Sequence, residues 1–448
     1  MPLRPLRPPA HLVRGCFALA LAAACAGTVQ AQSLLELYEA ARGHDAAWQS
    51  AQAQFDAAVY RAEQARAGLL PSANLSAGAF RSQFENSNPS VDRGFANQTA
   101  TLSAAQPLYR PANRITFNQG QRSIEVAGAQ LNAAAQDLII RVSQAYFDVL
   151  SAQDTLAFVQ AQKTAVNEQL AFAKRNFEVG TSTITDTREA QARFDLVTAQ
   201  EIAAENDLRV RKLALDSLVG RTDARPVPLA APLTLAAPQP PDPDAWVAQA
   251  DVSSPSIQQA RTNVEIAELE TEKAKTSHQP TLDLVASYNR SRNPSGGAAS
   301  PLATRSNNAQ LGVSLNLPLF AGFATQNRVR ETLSLEERAR ADLENVRRTV
   351  AQSTRAAYFG VVSGQGQVRA LEAAEASSQS ALEANRLGYQ VGVRINIDVL
   401  NAQSQLFQTK RDLAQARYNV LLGQLRLRQA NGTLWPEDLR QLNALLVN

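Results

Sequence analysis

The chain contains an internal repeat, and this repeat constrains the fold more than any other feature of the sequence. Segments 177–186 and 389–398 both begin with an aromatic residue, continue into Val-Gly and end on Asp. The offset between them is about 212 residues, and the same offset aligns Tyr146 and Phe147 with Tyr358 and Phe359. An offset kept over this distance indicates that one structural unit is used twice.

The repeat divides the chain into five parts. Seven prolines lie between Arg225 and Trp246, and because proline fixes an extended backbone we interpret this stretch as a linker. The predicted parts are a signal peptide at 1–31, a first structural repeat at 32–220, a Pro-rich linker at 221–245, a second structural repeat at 246–433 and a C-terminal tail at 434–448.

Two long regions without proline predict helices. No proline occurs between Pro111 and Pro226, or between Pro318 and Pro436, and both regions are rich in strong helix formers. A continuous helix over 114–177 would be ~95 Å long at ~1.5 Å per residue. Helices of this length cannot bury themselves in a globular domain, so we expect them to pack along one another as coiled coils.

Hydrophobic residues spaced at seven support this expectation. In the second repeat they are Leu406, Leu413, Val420 and Leu427. The matching positions of the first repeat are Phe194, Glu201, Leu208 and Leu215, so that Glu201 interrupts the pattern.

Within each repeat we predict the order helix, strand, strand, long helix, turn and helix. Residues 282–288 and 311–319 alternate between apolar and small or polar side chains, while 74–80 and 99–105 read as weaker strands. We expect loops at 85–95 and 292–308, which are rich in Ser, Asn, Pro and Gly. Strands of about ten residues can cross a bilayer when tilted, but about eight are needed to close a natural barrel. Several subunits would therefore have to lend strands to one barrel.

The first 31 residues predict export. Three arginines precede an apolar core at 17–24, and Val29-Gln30-Ala31 fits a signal-peptidase site, so we expect cleavage after Ala31. An alternative is that Cys25 ends a lipoprotein cleavage site and becomes a lipidated N-terminus. The mass of the mature N-terminus would distinguish the two.

Composition excludes several functions. The leader holds three of the 44 Lys and Arg residues and none of the 41 acids, so the mature chain has no net charge. This balance argues against nucleic acid as a partner. Both cysteines lie in the leader, and only His44 and His278 remain after it, so we expect no metal site or cofactor and no cysteine nucleophile. Without a Ser/His/Asp set or a GxSxG motif, we predict no catalytic residues and no enzyme.

The sequence resembles the TolC family of outer-membrane channels, which serve type I secretion and multidrug efflux. The resemblance covers the whole mature chain and is closest over 389–400, 416–419 and 431–434, with 179–186 as the counterpart in the first repeat. It implies an α+β membrane protein in which each subunit gives four strands to a trimeric 12-stranded β-barrel. An α-helical tunnel would continue from the barrel into the periplasm, and the linker and C-terminal tail would lie in a belt around its middle.

Candidate functional residues lie at the two turns between long helices. Gly180 and Gly392 fit the left-handed position after a helix end. Asp186 is predicted to be the N-cap of a capping box with Glu189 at N3, and Asp398 is predicted to cap likewise.

The resemblance adds a second role for these turns. It implies that Thr185, Asp186, Tyr389 and Arg394 link neighbouring subunits and hold the periplasmic entrance shut. It also implies that Asp398 lines the constriction as an acidic ring. A second ring acid of the family is replaced by Asn401, so we expect weaker block by polyvalent cations.

The predicted function is therefore a passive, homotrimeric exit duct in the outer membrane that extends into the periplasm and contacts outer-membrane lipid. Since the chain has no nucleotide-binding motif, energy would come from an inner-membrane ABC or resistance-nodulation-division transporter through a periplasmic adaptor. One alternative is the lipoprotein channel of a resistance-nodulation-division pump. Another is a periplasmic coiled-coil scaffold without a pore, which would give no conductance in planar bilayers.

Overall fold

A computed structural model describes residues 32–230, 235–298 and 300–446; the predicted signal peptide, including Cys25, lies outside these ranges. Within them the elements in chain order are α1 (Leu34–His44), α2 (Ala46–Ala67), β1 (Ser72–Ser87), β2 (Ser90–Tyr109), α3 (Pro111–Glu178), α4 (Ile184–Val219), α5 (Pro243–Ser253), α6 (Pro255–Thr276), β3 (Thr281–Asn293), β4 (Thr304–Asn316), α7 (Ala324–Gln390), α8 (Asn396–Ala430) and α9 (Pro436–Asn443).

The same order of elements occurs twice. Two helices, two strands, one long helix and one shorter helix form α1 to α4, and the same series forms α5 to α8. The sequence led us to expect a single helix before each pair of strands, and the structure has two. Asp45 separates α1 from α2, because its carboxylate caps α2 by accepting from the Trp48 N–H at 2.7 Å.

The four strands form one antiparallel sheet in the order β1-β2-β3-β4. Leu102 of β2 lies between Leu75 of β1 and Tyr288 of β3, and Ala286 of β3 faces Leu311 of β4. Since successive side chains point to opposite faces, this register places apolar side chains on one face of the sheet. Polar side chains occupy the other face.

The predicted loop at 85–95 is wrong. β1 continues to Ser87 and β2 starts at Ser90, so only Asn88 and Pro89 connect them. Cross-strand pairs such as Ser82 opposite Phe95 extend the ladder through the polar stretch. The second predicted loop shortens to 294–303, and β4 ends at Asn316 rather than at 319 because Pro318 cannot donate to a ladder.

The two long helices are confirmed. α3 has 68 residues and α7 has 67, which gives each a length of ~100 Å. All four junctions between helix and strand lie at the same end of the sheet, opposite the turns of its hairpins. A bidentate pair ties this end together, since Arg110 donates to both carboxylate oxygens of Asp283 at 2.6 and 2.7 Å. In the described part of the chain, no helix is both long and apolar enough to cross a membrane.

The largest hydrophobic core surrounds the middle of α3. There the α3 residues Ile139, Val142 and Tyr146 pack against α1, the C-terminal parts of α4 and α8, and α9. The linker runs along this core, since the Tyr146 hydroxyl donates to the Val227 carbonyl at 2.7 Å. The linker also pairs with the C-terminal tail, as the Ala230 N–H donates to the Leu445 carbonyl at 2.8 Å.

The predicted coiled-coil positions of α8 are buried. Leu406, Leu413, Val420 and Leu427 are each at most 3% exposed, and they pack against Val361, Val368 and Leu382 of α7. In the first repeat the interrupting Glu201 accepts from the Lys163 ammonium at 2.5 Å. An ion pair thus occupies the position where the second repeat uses an apolar contact.

Candidate functional site at the helix tips

Two matching turns, which we call the helix tips, connect each long helix to the shorter helix that follows it. The first tip is 179–183, between α3 and α4, and the second tip is 391–395, between α7 and α8. At the first, the Gly180 N–H donates to the Phe177 carbonyl at 3.0 Å and the Thr181 N–H to the Asn176 carbonyl at 2.8 Å. Gly392 and Val393 repeat this pattern at the second. Both glycines have φ +78°, a conformation that favours glycine, and this bond pattern is the Schellman motif. The predicted left-handed conformation of Gly180 and Gly392 is confirmed.

The predicted N-cap at Asp186 is wrong by three residues. α4 begins at Ile184, Thr183 is its N-cap, and Asp186 occupies N3. The Thr183 hydroxyl accepts from the Asp186 N–H at 3.2 Å, and the Asp186 carboxylate accepts from the Thr183 N–H at 3.0 Å. Asp186 is therefore the acidic member of the capping box, and Glu189 has no part in it.

The predicted cap at Asp398 is also wrong. Ile395 is the N-cap of α8 and makes no side-chain cap bond, so Asp398 lies in the first turn of the helix. Its carboxylate is 3.7 Å from the guanidinium of Arg394, whose side chain is 58% exposed. Acids are stabilised in the first turn of a helix by its dipole.

A buried residue that the sequence did not reveal joins the two tips. Asn396 is fully buried; its side-chain oxygen accepts from the Gln169 amide, and its Nδ2 donates to the Asp186 carbonyl at 3.4 Å. No local pattern distinguishes this asparagine from an exposed one, because its burial depends on how α8 packs against α3. Asn396 fixes the relative position of both turns within one chain.

The other predicted residues are distributed over the two tips. Thr185 is exposed at the first tip. At the second, the ring of Tyr389 lies edge-on to Phe172 with centroids 5.7 Å apart, and its buried hydroxyl has no hydrogen-bond partner among the described residues. The ion pair of Arg394 is with Asp398 of its own chain.

Asn401 lies one and a half turns above the second tip. Its side-chain oxygen accepts from Arg193 Nη2 of α4 at 2.8 Å. Both residues line a polar groove of about 440 Å³ between α4 and α8, together with Arg411 and several amides. The lining residues include two arginines and no acid, so this groove is positively charged.

The apolar face of the sheet is a second candidate site. Leu75, Leu311 and Leu315 are 75%, 75% and 67% exposed, although leucine side chains are ordinarily buried. On β4 the apolar side chains recur from Ala309 to Leu315, a length of roughly 20 Å along the strand. An exposed apolar surface of this extent indicates a site that binds a membrane or an apolar partner.

Sequence comparison identifies the family. The family model described as outer membrane efflux protein matches residues 37–221 and 246–433. Outer membrane protein TolC of Vibrio cholerae serotype O1 is 35% identical over 416 residues, which cover 93% of this chain and 94% of that protein. The proteases secretion protein PrtF of Dickeya chrysanthemi is 30% identical, with 93% and 92% covered.

Solved structures have the same fold. The outer membrane protein VceC of Vibrio cholerae superposes with a TM-score of 0.74 at 21% identity, covering 89% of this chain and 96% of that one. The CmeC outer membrane channel of Campylobacter jejuni gives 0.77 at 16% identity, with 92% and 90% covered. The family is one of channel and transport proteins rather than of enzymes. The chain thus belongs to the outer membrane efflux protein family, and it is an outer-membrane exit duct for efflux, type I secretion or both.

Proposed function

We propose that three copies of the chain close one 12-stranded β-barrel, with four strands from each subunit. Support comes from the sheet, which has β1 and β4 as open edges in the described chain. Unpaired strand edges cannot face lipid, because lipid offers no hydrogen bonds to the backbone. Four strands are too few to enclose a lumen, so β1 of one copy would pair with β4 of the next.

The observation that carries this proposal is the two-sided character of the sheet. Its apolar face, which includes Leu75, Leu102, Leu311 and Val313, would contact outer-membrane lipid. Its polar face, on which Asn289 Nδ2 donates to Thr101 Oγ1 at 3.0 Å, would line an aqueous lumen.

The helices would form a tunnel that extends from the barrel into the periplasm. The four helices that adjoin the strands, α2, α3, α6 and α7, attach to one end of the sheet, and α3 and α7 reach ~100 Å from it. The linker and C-terminal tail, which pack around the middle of α3, would form the belt of this tunnel.

The entrance would lie at the helix tips. Thr185, Asp186, Tyr389 and Arg394 would link neighbouring subunits there, while Asp398 would form an acidic ring. Exposure of Thr185 and Arg394 leaves these two side chains accessible to another copy. The buried hydroxyl of Tyr389 has no partner among the described residues and would have to become exposed before it could form such a link. An inner-membrane transporter, of the ABC or resistance-nodulation-division type, and a periplasmic adaptor would open the entrance and supply the energy.

The entrance should bind polyvalent cations weakly. Asn401 carries no charge and is bonded to Arg193, whose guanidinium repels cations from the wall next to Asp398. We expect Asn401→Asp to lower the concentration of a trivalent cation that halves the current, with Gln405→Asn as a neutral control. Equal block of the variant and the parent chain would remove this position from the cation site.

Planar-bilayer recording of the purified protein tests the proposed duct. A trimeric channel should give discrete conductance steps of one main size. A periplasmic scaffold without a pore would give no conductance steps, and that result would contradict the proposal.

A further inference from the structure

The β1–β2 hairpin extends well beyond the rest of the sheet. Pairing between β2 and β3 ends at Gln98 with Arg292, whereas β1 and β2 continue through eight further pairs, from Phe80–Asn97 to Ser87–Ser90. At ~3.3 Å per residue this extension is ~26 Å long. It lies at the end of the sheet opposite the helices, which is the outer mouth of the proposed duct.

The extension carries aromatic residues on its inner face. Side chains two residues apart share a face of a strand, so Phe80 and Phe84 follow Ser76 and Gly78 on the polar, lumen-lining side of β1. The ring of Phe80 lies over Gly78, where a Cβ would be only 2.7 Å from it. On β2, Phe95 stands opposite Ser82 and belongs to the same face.

The outer face of the extension is polar. Gln83 and Asp92 lie on it, and the Gln83 amide donates to the Asp92 carboxylate. Glu85 pairs with Asp92 in the ladder and shares this face. In the extension the inner face is therefore aromatic and the outer face polar. This is the reverse of the arrangement in the membrane-facing part of the sheet. Neither lipid nor solvent outside the barrel accounts for aromatic residues that face the pore axis.

An isolated two-stranded hairpin is only marginally stable in water, so an apolar face on it favours burial against a partner. Gly297, which follows β3, already contacts a side chain of this face, since Arg93 Nη1 donates to the Gly297 carbonyl at 3.2 Å. Phe80 nevertheless remains 63% exposed within one chain. The apolar surface available at this height in the proposed duct is the same face of the other two copies.

We propose that the inner faces of three β1–β2 hairpins meet across the outer mouth and form an aromatic constriction. This inference rests on the proposed trimeric duct and adds a second barrier in series with the entrance at the helix tips. Apolar constrictions restrict ion flow by excluding water. Ions that pass the polar lumen of the barrel would meet the highest resistance of the outer half at Phe80, Phe84 and Phe95.

Cross-linking tests the contact between copies. Residues 32–448 contain no cysteine, so Phe84→Cys introduces a single thiol into the full-length mature protein. A short bis-maleimide should convert this variant into covalent dimers on a denaturing gel. The matched variant Gln83→Cys, which places its thiol on the opposite face of the same hairpin, should remain monomeric.

The particle masses in the same detergent preparations test the aromatic constriction and the trimeric duct separately. Intact trimers in which Phe84→Cys links no better than Gln83→Cys would overturn the constriction and leave the duct standing. Particles of monomer mass would overturn the duct itself.

Conductance tests the barrier. In an Arg394→Ala background, which we expect to widen the entrance, the triple change of Phe80, Phe84 and Phe95 to Ser should raise single-channel conductance by a further ~1.5-fold or more. The outer-face pair Gln83→Ser and Ala96→Ser should leave the conductance of the background unchanged. If the triple variant has the same conductance as the Arg394→Ala background, the three phenylalanines do not restrict ion flow at the outer mouth.

Discussion

At the residue scale, Arg394 is held weakly in its own chain. Its guanidinium is 3.7 Å from Asp398 and largely exposed, and such pairs contribute only ~0–1 kcal/mol. The stem of Arg394 packs against Gly388, where a Cβ would be 2.7 Å from Arg394 Cγ. Three copies of such a link total at most ~3 kcal/mol, which a docking partner can offset by binding the open state more tightly.

Arg394→Ala should therefore raise single-channel conductance, because it removes the cation that would hold the second tip in place. Arg386→Ala, an exposed arginine two turns earlier on α7, is the matched control and should conduct like the parent chain. Unchanged conductance of Arg394→Ala would remove this residue from the gate.

A buried acid in the helical body is a second residue with a measurable effect. The carboxylate of Asp154 accepts from the Tyr418 hydroxyl at 2.6 Å, and burial raises the pKa of Asp154 above its ordinary value. The folded state therefore holds the Asp154 proton more tightly than the unfolded state does. Below the unfolded pKa this group has no effect on stability, and as pH rises through the folded pKa the folded state loses stability.

Asp154→Asn should accordingly raise the melting temperature at neutral pH, since it keeps an acceptor for Tyr418 without a buried charge. The gain should shrink as pH falls through the raised pKa of Asp154 in the folded state, and it should be lost by about pH 4, near the ordinary pKa of Asp. Circular dichroism melts from pH 3 to 7 measure this, with the exposed Asp56→Asn as control. A gain in melting temperature that stays the same from pH 3 to 7 would contradict a raised pKa of Asp154 in the folded state.

Local sequence predicted the glycines of the tips better than the caps. Gly180 and Gly392 follow from a conformation that favours glycine. The segment 183–189 offers two overlapping capping boxes, Thr183 with Asp186 and Asp186 with Glu189. The structure uses the first, because the Schellman turn is complete by Thr181 and the helix can begin at once. Capping preferences alone do not choose between them.

At the element scale, α8 is held to α7 by its stripe of buried residues. Leu413 is 2% exposed and packs with Val368, Ala416 and Val420. Deleting a buried leucine side chain removes transfer free energy and leaves a cavity.

Leu413→Ala should lower the free energy of unfolding by ~2–5 kcal/mol. Leu213→Ala, at a position of α4 that is 62% exposed, should change it by no more than ~0.5 kcal/mol. Denaturant titration followed by the helical signal compares the two. Equal losses of unfolding free energy in the two variants would show that the buried residues of α8 do not pack against α7 as described.

The helices were predictable because long stretches without proline leave few alternatives. The strands were predictable only in part, because the extension of β1 and β2 through 80–97 depends on pairing across the hairpin. The Ser, Asn and Gly of that stretch indicate a loop when each strand is considered alone.

At the scale of the whole molecule, the duplication predicted the repeated order of elements, and the alternating strands predicted a sheet with one apolar face. Neither pattern encodes Asn396 or the position of the linker against Tyr146, since both depend on packing between distant segments. The sheet explains why the proposed duct needs more than one copy: within the described chain, its apolar face and both of its edges are open.

The most direct test is single-particle electron microscopy of the protein extracted in detergent. The proposed duct predicts particles with threefold symmetry, a barrel with four strands from each subunit, and helices that continue ~100 Å from one end of it. Single molecules, or particles without a threefold axis, would contradict it.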